Sequence, residues 1–350
     1  MMADVEKQEL AAIGAQVEVP EAASYRSATA RGARRNKTPG SAVTDRLTEL
    51  SSWWATVAGT APPRRVQALW PQQPAGTGPS RAQVLIRPFD APEDVTEAIG
   101  WGVTVADGLV DDGTDLVLLS VPDQVSWAVL AAHLLDVDAV EAMGWPSAAG
   151  LSDVDWIFRV AAIRDGLRTV RGISGDPERL LTQIASPAIA AGTALVLRAA
   201  ARRTPILLDG PGSAACALLA FRIARATRNW IQAGDGGAGA LHDRVLAELR
   251  LVPLTRLGLR ADDGTAARIG LGLLETALAR AIQAPDDDLT DDGPLLDPDD
   301  ELTGAEPGSD HLTHRDEPAG KPDEPSEEAA DDEVEEVADD EPFGGKPAGE

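Results

Sequence analysis

A chain of 350 residues that is 43% hydrophobic can form one large or two modest domains with a substantial core, which excludes a peptide hormone or a fibre. Its 57 acidic residues outnumber 31 basic ones, a net charge of -26, and phosphate contacts need clustered lysine and arginine, so broad nucleic-acid binding is excluded as well. The excess is local: 26 acidic and 3 basic residues fall between Asp286 and Glu350, leaving 31 acidic against 28 basic before them.

Residues 1 to 36 show no sustained periodicity and carry a basic cluster, Arg31, Arg34 and Arg35, followed by Lys37. They are predicted to be a flexible arm. Apolar positions recur at helical spacing from Val43 to Trp54, and Ala61-Pro62-Pro63 closes that segment. A Pro, Gln and Gly-rich loop over residues 71 to 80 follows. Short β-type runs at Gln83 to Ile86, Asp115 to Leu119, Pro205 to Leu208 and Trp230 to Gln232 then alternate with helical stretches near 92–110, 124–135, 153–170, 187–203, 213–226 and 241–250. A last helix is predicted over 265–283. Such alternation indicates an α/β domain, a doubly wound and mostly parallel sheet with helices on both faces, joined to a small helical N-terminal part. Beyond Asp286 the composition cannot bury enough surface to offset ordering, so a disordered acidic tail is expected over 286–350. The expected organisation is an arm (1–36), an α/β domain (37–285) and that tail.

One cysteine, Cys216, cannot form an internal disulfide. With no early apolar run like a secretion signal, and no apolar stretch long enough to span a bilayer, a cytoplasmic protein without membrane contact is expected. The four histidines, His133, His242, His311 and His314, are scattered, so neither a zinc cluster nor a cysteine-histidine pair is expected. No metal and no cofactor is called for. His133 falls on an apolar helix face and is read as a satisfied core residue. Among the tryptophans, Trp53, Trp54, Trp101, Trp127 and Trp156 fall at helical positions and are read as core or dimer contacts.

Two segments read as ligand-facing turns. In Ile206 to Ser213 a buried strand breaks at Asp209-Gly210 and a helix begins near Ser213, a place where unpaired backbone N–H groups attract anions or are simply capped. In Arg260 to Thr265 two adjacent acids and Gly264 precede the last helix. Either acid is a candidate general base or a cap.

These segments and their spacing resemble the nicotinate-nucleotide:dimethylbenzimidazole phosphoribosyltransferases. The family pattern V-V-L-D-G-F-I-S-[ST]-A-A-A-L-L-A is similar to Ile206–Ala220 without a gap, keeping Asp209, Gly210 and Ser213. In the same register Ala233, Gly234, Ala238 and His242 match a second block, and Pro253 to Arg268 falls on P-L-L-D-L-G-[LM]-R-L-G-E-G-[ST]-G-A-A. Lys37 to Ser41 and the helix through Leu47, Leu50 and Trp54 are similar to the family's opening. The resemblance implies transfer of phosphoribose from nicotinate mononucleotide to a benzimidazole nitrogen, giving α-ribazole phosphate for the lower ligand of cobalamin, by a homodimer and without a metal. A carboxylate takes the ring N–H proton while the other ring nitrogen attacks the anomeric carbon. By register the base falls on Asp263, the family lysine on Arg159, and the substrate-binding positions on Asp209, Gly210, Ser213, Arg260, Gly264 and Thr265.

The departures are specific. Asp263 is one methylene shorter than the family glutamate. After the strand ending at Leu119 the chain reads Ser120 to Trp127 in place of the family's glycine-rich phosphate turn, with a proline and bulky side chains where glycines stand. The family section that follows its first helix, and that helps build the benzimidazole pocket, has too few residues here to be present. Two functions therefore stay open: an enzyme of the family's reaction, and a non-catalytic paralogue serving as ligand sensor or partner subunit.

Overall fold

A computed structural model of the chain describes residues 10–20, 45–71, 80–123, 125–145, 151–260 and 262–283. All belong to one compact unit. The expected acidic tail, and the basic cluster from Arg31 to Lys37, lie outside the described residues.

Five strands, β1 (Arg65–Trp70), β2 (Gln83–Pro88), β3 (Leu116–Leu119), β4 (Ile206–Leu208) and β5 (Ile231–Ala233), alternate with eleven described α-helices. In chain order these are α1 (Leu10–Gly14), α2 (Arg46–Val57), α3 (Val95–Asp111), α4 (Ser126–Leu135), α5 (Ala139–Met143), α6 (Asp153–Thr169), α7 (Pro177–Ile184), α8 (Pro187–Ala201), α9 (Pro211–Ile223), α10 (Ala240–Glu248) and α11 (Thr265–Gln283). The strands form one parallel sheet in the order β2-β1-β3-β4-β5. Among the described residues no helix is long and apolar enough to cross a membrane.

Strand alternation divides the core into two layers. Val66, Ala68 and Trp70 of β1, with Leu116, Leu118 and Leu207, face a cluster closed by Leu50 and Trp54 of α2 and by Ala267, Leu271 and Leu274 of α11. Leu69, Val117, Leu119, Ile206 and Leu208 point the other way, into a larger cluster built with α3, α4, α8, α9 and α10. Both faces of the sheet are thus covered, the arrangement that parallel sheets require because neither face can meet water. Helix starts follow local chemistry. Asp45, Asp94, Ser152 and Asp176 each accept a backbone N–H from the first turn of α2, α3, α6 and α7. Pro177 and Pro187 occupy first-turn positions where no N–H is needed.

Four of the five strands lie where the sequence predicts them. β1 is not predicted, although it is the strand between β2 and β3. Its sequence, Arg65-Val66-Gln67-Ala68-Leu69-Trp70, alternates poorly because Gln67 lies fully buried on the same face as Leu69. Residues 10–20 also depart from the expected flexible arm. Leu10 and Ile13 are buried in the larger cluster, the Leu10 N–H donates to Glu178 Oε1 at 2.7 Å, and Trp230 Nε1 donates to the Glu18 carbonyl at 2.8 Å. Two apolar residues three apart are too short a signal to mark a docked helix. His133 Nε2 on α4 donates to the Ile173 carbonyl at 2.9 Å, so the histidine is satisfied as expected, but it is half-buried and not in the core.

Candidate functional site

In an open parallel sheet the chain leaves every strand at the same edge, so loops from several strands converge at their carboxyl ends. Here the segments after β3, β4 and β5 border a cleft of about 460 Å³. Pro122, Asp123 and Trp127 come from the first, Pro211 from the second, and Ala238 to Leu241, Arg260 and Asp262 from the third. Met143 of α5 and Arg159 and Ile163 of α6 close the remaining side.

Two carboxylates, Asp123 and Asp262, line this cleft, and Asp262 comes from the turn before α11. Its Oδ2 accepts the Gly212 N–H at 3.2 Å at the start of α9, and its Oδ1 is shielded from solvent with no hydrogen-bond partner among the described residues. The two glycines beneath it make this approach possible. A Cβ on Gly210 would stand 2.6 Å from Asp262 Oδ1, and one on Gly212 would stand 2.3 Å from the Val121 carbonyl oxygen. Burial holds the Asp262 carboxyl well above the usual carboxylate range, and the charge of Asp209 adds to the shift, against the pull of the Gly212 and Ser213 N–H groups. A carboxyl group in this state takes up a proton readily, which is what a general base near neutral pH requires.

The other acids in the two turns are engaged differently. Asp263 is exposed and is not among the residues lining the cleft; its Oδ1 accepts the Thr265 N–H at 2.9 Å, so it caps α11. The two adjacent acids of this turn have opposite surroundings: Asp262 lines the cleft, whereas Asp263, where the family register puts the base, faces solvent. Asp209, expected at the nucleotide site, is buried beneath it: Oδ2 accepts the Gly264 N–H at 2.8 Å and Oδ1 the Ala267 N–H at 2.9 Å, which ties the end of β4 to the first turn of α11. Ser213 is also buried, its hydroxyl closed on Gly210 by bonds of 3.1 and 3.0 Å to the backbone N and O. Thr265 is exposed beside Asp263, and Gly264 packs against the Trp70 ring. Of the expected site residues, Arg159 and Arg260 are brought into the cleft; Gly210 underlies Asp262, and Asp209, Ser213, Gly264 and Thr265 support the turns instead.

Asp123 and Trp127 were not expected to line the cleft. Asp123 Oδ1 accepts the Trp127 N–H at 2.9 Å and its Oδ2 accepts the Ser186 hydroxyl at 2.8 Å, so it anchors α4 while facing the cavity. The signal for it was present, an acid four residues ahead of a helical tryptophan, but an N-cap and a site residue look alike in sequence.

Asp209 carries a pH consequence. Burial pushes its pKa up to about 6, opposed by the N–H groups of Ala267 and Gly264. Because the folded value is raised, the folded state binds the extra proton. The associated stability is full below the unfolded value of 3.8 and is lost as pH rises through about 6. That shift corresponds to about 3 kcal/mol. Thermal melts at pH 4 and pH 7 are expected to show a smaller drop in Asp209→Asn than in the unmodified chain; identical drops in the two proteins would contradict this account of Asp209.

Residues 91–285 match the sequence profile of a family described as phosphoribosyltransferase. The nicotinate-nucleotide–dimethylbenzimidazole phosphoribosyltransferase of Streptomyces avermitilis is 38% identical over 196 residues, 55% of this chain and 52% of that protein. The enzyme of the same name from Mycobacterium tuberculosis is 36% identical over 190 residues, 53% of this chain and 52% of that protein. The chain therefore spans about half the length of these curated relatives. The crystal structure of CobT from Thermus thermophilus shares the fold, with a TM-score of 0.58 at 18% identity over 74% of this chain and 96% of that one. The profile runs from the loop before α3 to just past α11, more than half of the chain and the whole of the cleft's lining, and on that match this protein belongs to the phosphoribosyltransferase family.

Proposed function

We propose that the chain transfers phosphoribose from nicotinate mononucleotide to the ring nitrogen of a benzimidazole, with Asp262 as general base. One observation carries the proposal: Asp262 lines a cleft whose other charged residues are Asp123, Arg159 and Arg260, and one of its carboxylate oxygens accepts no hydrogen bond among the described residues. Asp262 takes the benzimidazole N–H proton as the second ring nitrogen forms its bond to the anomeric carbon. The bond between that carbon and the pyridinium nitrogen breaks, its electron pair neutralises the ring, and nicotinate leaves. The N-terminus of α9 is already occupied by Asp262, so the substrate phosphate is directed to Arg159, Arg260 and the opening turn of α10. Ala240 and Leu241 of that turn line the same cavity, and the first backbone N–H groups of a helix favour an anion. Trp127, Met143 and Ile163 supply an apolar wall for the aromatic acceptor.

A second reading, a ligand-binding paralogue or partner subunit without turnover, is supported by Val121 and Pro122. They stand in the turn after β3 where the resembled family has glycines, and the Val121 carbonyl abuts Gly212. Incubating the purified chain with nicotinate mononucleotide and dimethylbenzimidazole separates the two. Formation of α-ribazole phosphate, detected by mass spectrometry, supports transfer; binding of either ligand by calorimetry without product supports the second reading.

We further propose a homodimer that covers the outer face of α6. Val154, Ile157 and Phe158 are exposed there with Trp145 nearby in the chain, more bulky apolar surface than a solvated helix face carries. Phe158→Asp is expected to shift the sedimenting species from dimer to monomer; a chain that sediments as a monomer before the substitution removes the proposal.

A further inference from the structure

Asp235 is a buried acid outside the proposed chemistry. It follows β5, is 2% exposed, and spends its carboxylate on a single segment. Oδ1 accepts the Thr255 hydroxyl and the Leu257 N–H, both at 2.7 Å, and Oδ2 accepts the Leu259 N–H at 2.8 Å. Backbone bonds continue the same attachment, Thr255 N–H to the Gly234 carbonyl at 3.0 Å and Gly258 N–H to the Gly236 carbonyl at 3.2 Å. The Gly236 N–H adds a bond to the Thr255 carbonyl at 2.9 Å, and Arg256 pairs with Asp243 at 3.6 Å. No side chain from Thr255 to Arg260 is buried, and Leu257, the bulkiest apolar one, is 62% exposed. Yet the segment leads directly into Arg260 and Asp262, both on the cleft wall.

We infer that Asp235 is a positioning residue, which fixes the Thr255–Leu259 segment so that Arg260 and Asp262 are presented to the cleft. The inference rests on the reading of those two residues as phosphate clamp and base. The carboxylate form is the one that suits this task, since it alone accepts from three donors at once. Burial raises the Asp235 pKa, but the Leu257 N–H, the Thr255 hydroxyl and the Leu259 N–H outweigh burial and hold the group below its ordinary value. It therefore remains charged throughout the neutral range.

Asp235→Asn in the full chain is the test. An amide presents one oxygen and one NH2, so one of the three donors faces another donor. Hydrogen bonds to a charged group are worth enough that the detached segment is expected to be about tenfold more populated. Trypsin cleavage after Arg256 and Arg260, resolved by mass spectrometry without ligand, is expected to accelerate by about that factor, because cutting follows the open population. The nicotinate mononucleotide KM is expected to rise by less than the cleavage rate, since only the attached fraction binds and that fraction falls far less than the detached one grows. Cleavage after Arg198 and Arg222, in α8 and α9, is expected to keep its rate in the variant, whereas a general loss of stability would accelerate those cuts as well. Thr255→Val removes one donor and leaves the carboxylate, so it supplies a milder case in which the cuts after Arg256 and Arg260 accelerate by a few-fold. Unchanged cleavage after Arg256 and Arg260 in both variants overturns the inference. If the unmodified chain neither binds nor turns over nicotinate mononucleotide, the proposed function falls, while the ligand-free cleavage comparison still decides whether Asp235 holds the segment.

Discussion

Asp262→Asn is expected to lower turnover of nicotinate mononucleotide and dimethylbenzimidazole by a hundredfold or more, the range that positioned general bases supply. Asparagine retains the shape and an acceptor for the Gly212 N–H, but its amide cannot take the ring proton. Binding of nicotinate mononucleotide should change far less, because its phosphate is assigned to Arg159, Arg260 and the α10 turn. The pH profile gives an independent readout. Asp262 must be deprotonated to act, and burial holds its pKa well above the ordinary value, so kcat/KM should rise with pH along a limb displaced upward from the usual carboxylate range. That limb should vanish in the variant. Asp263→Asn is the matched control: asparagine caps helices as well as aspartate does, and the exposed Asp263 side chain bonds only to the Thr265 N–H in the described structure. Turnover lost in Asp263→Asn and kept in Asp262→Asn would return the base to the position that register assigned.

Gly264→Ala is expected to be the most destabilising single methyl addition among the turns at the cleft. Gly264 has φ +88, where an L side chain is strained, and a Cβ there would stand 2.3 to 2.6 Å from three atoms of the Trp70 indole. Trp70 is fully buried at the end of β1 and belongs to the core layer against α11, so it has no room to withdraw. The backbone strain costs about 1–3 kcal/mol. Overpacking adds roughly 1–3 kcal/mol more. Shifting Gly264 also pulls its N–H from Asp209, the bond that starts α11. Against a total stability of about 5–15 kcal/mol the loss is large. It should lower the melting temperature by roughly 10 °C. Gly272→Ala, on the exposed side of the same helix with nothing within 4 Å, is expected instead to stabilise by up to about 1 kcal/mol through helix propensity. Equal melting temperatures for Gly264→Ala and Gly272→Ala would contradict the close packing assigned to Trp70.

Much of the fold was legible because the relevant signals are local. The last helix is found at 265–283 as predicted, since its start is announced by two acids and a glycine and its apolar residues keep a helical period over five turns. The β4 to α9 turn is recognisable from Asp209-Gly210 alone. Signals that depend on a partner were not legible. Gln67 disguises β1, since a polar residue in the middle of a strand gives no hint of burial until β2 and β3 flank it. Leu10 and Ile13 say nothing of docking until Glu178 receives the Leu10 N–H from 168 residues away.

The chain's own order of residues determined the alternation of strand and helix, the family, and the fact that an acid stands in the turn before α11. Which of the two neighbouring acids enters the cleft was decided only by tertiary structure. Asp262 and Asp263 are chemically identical and adjacent, so composition and register cannot separate them. One is surrounded by Gly210 and Gly212, whose missing side chains leave a shielded space for a carboxylate, and the other by solvent and the Thr265 N–H. Desolvation, which sets the proton affinity of an acid, is a property of everything that packs around it and not of the residue itself.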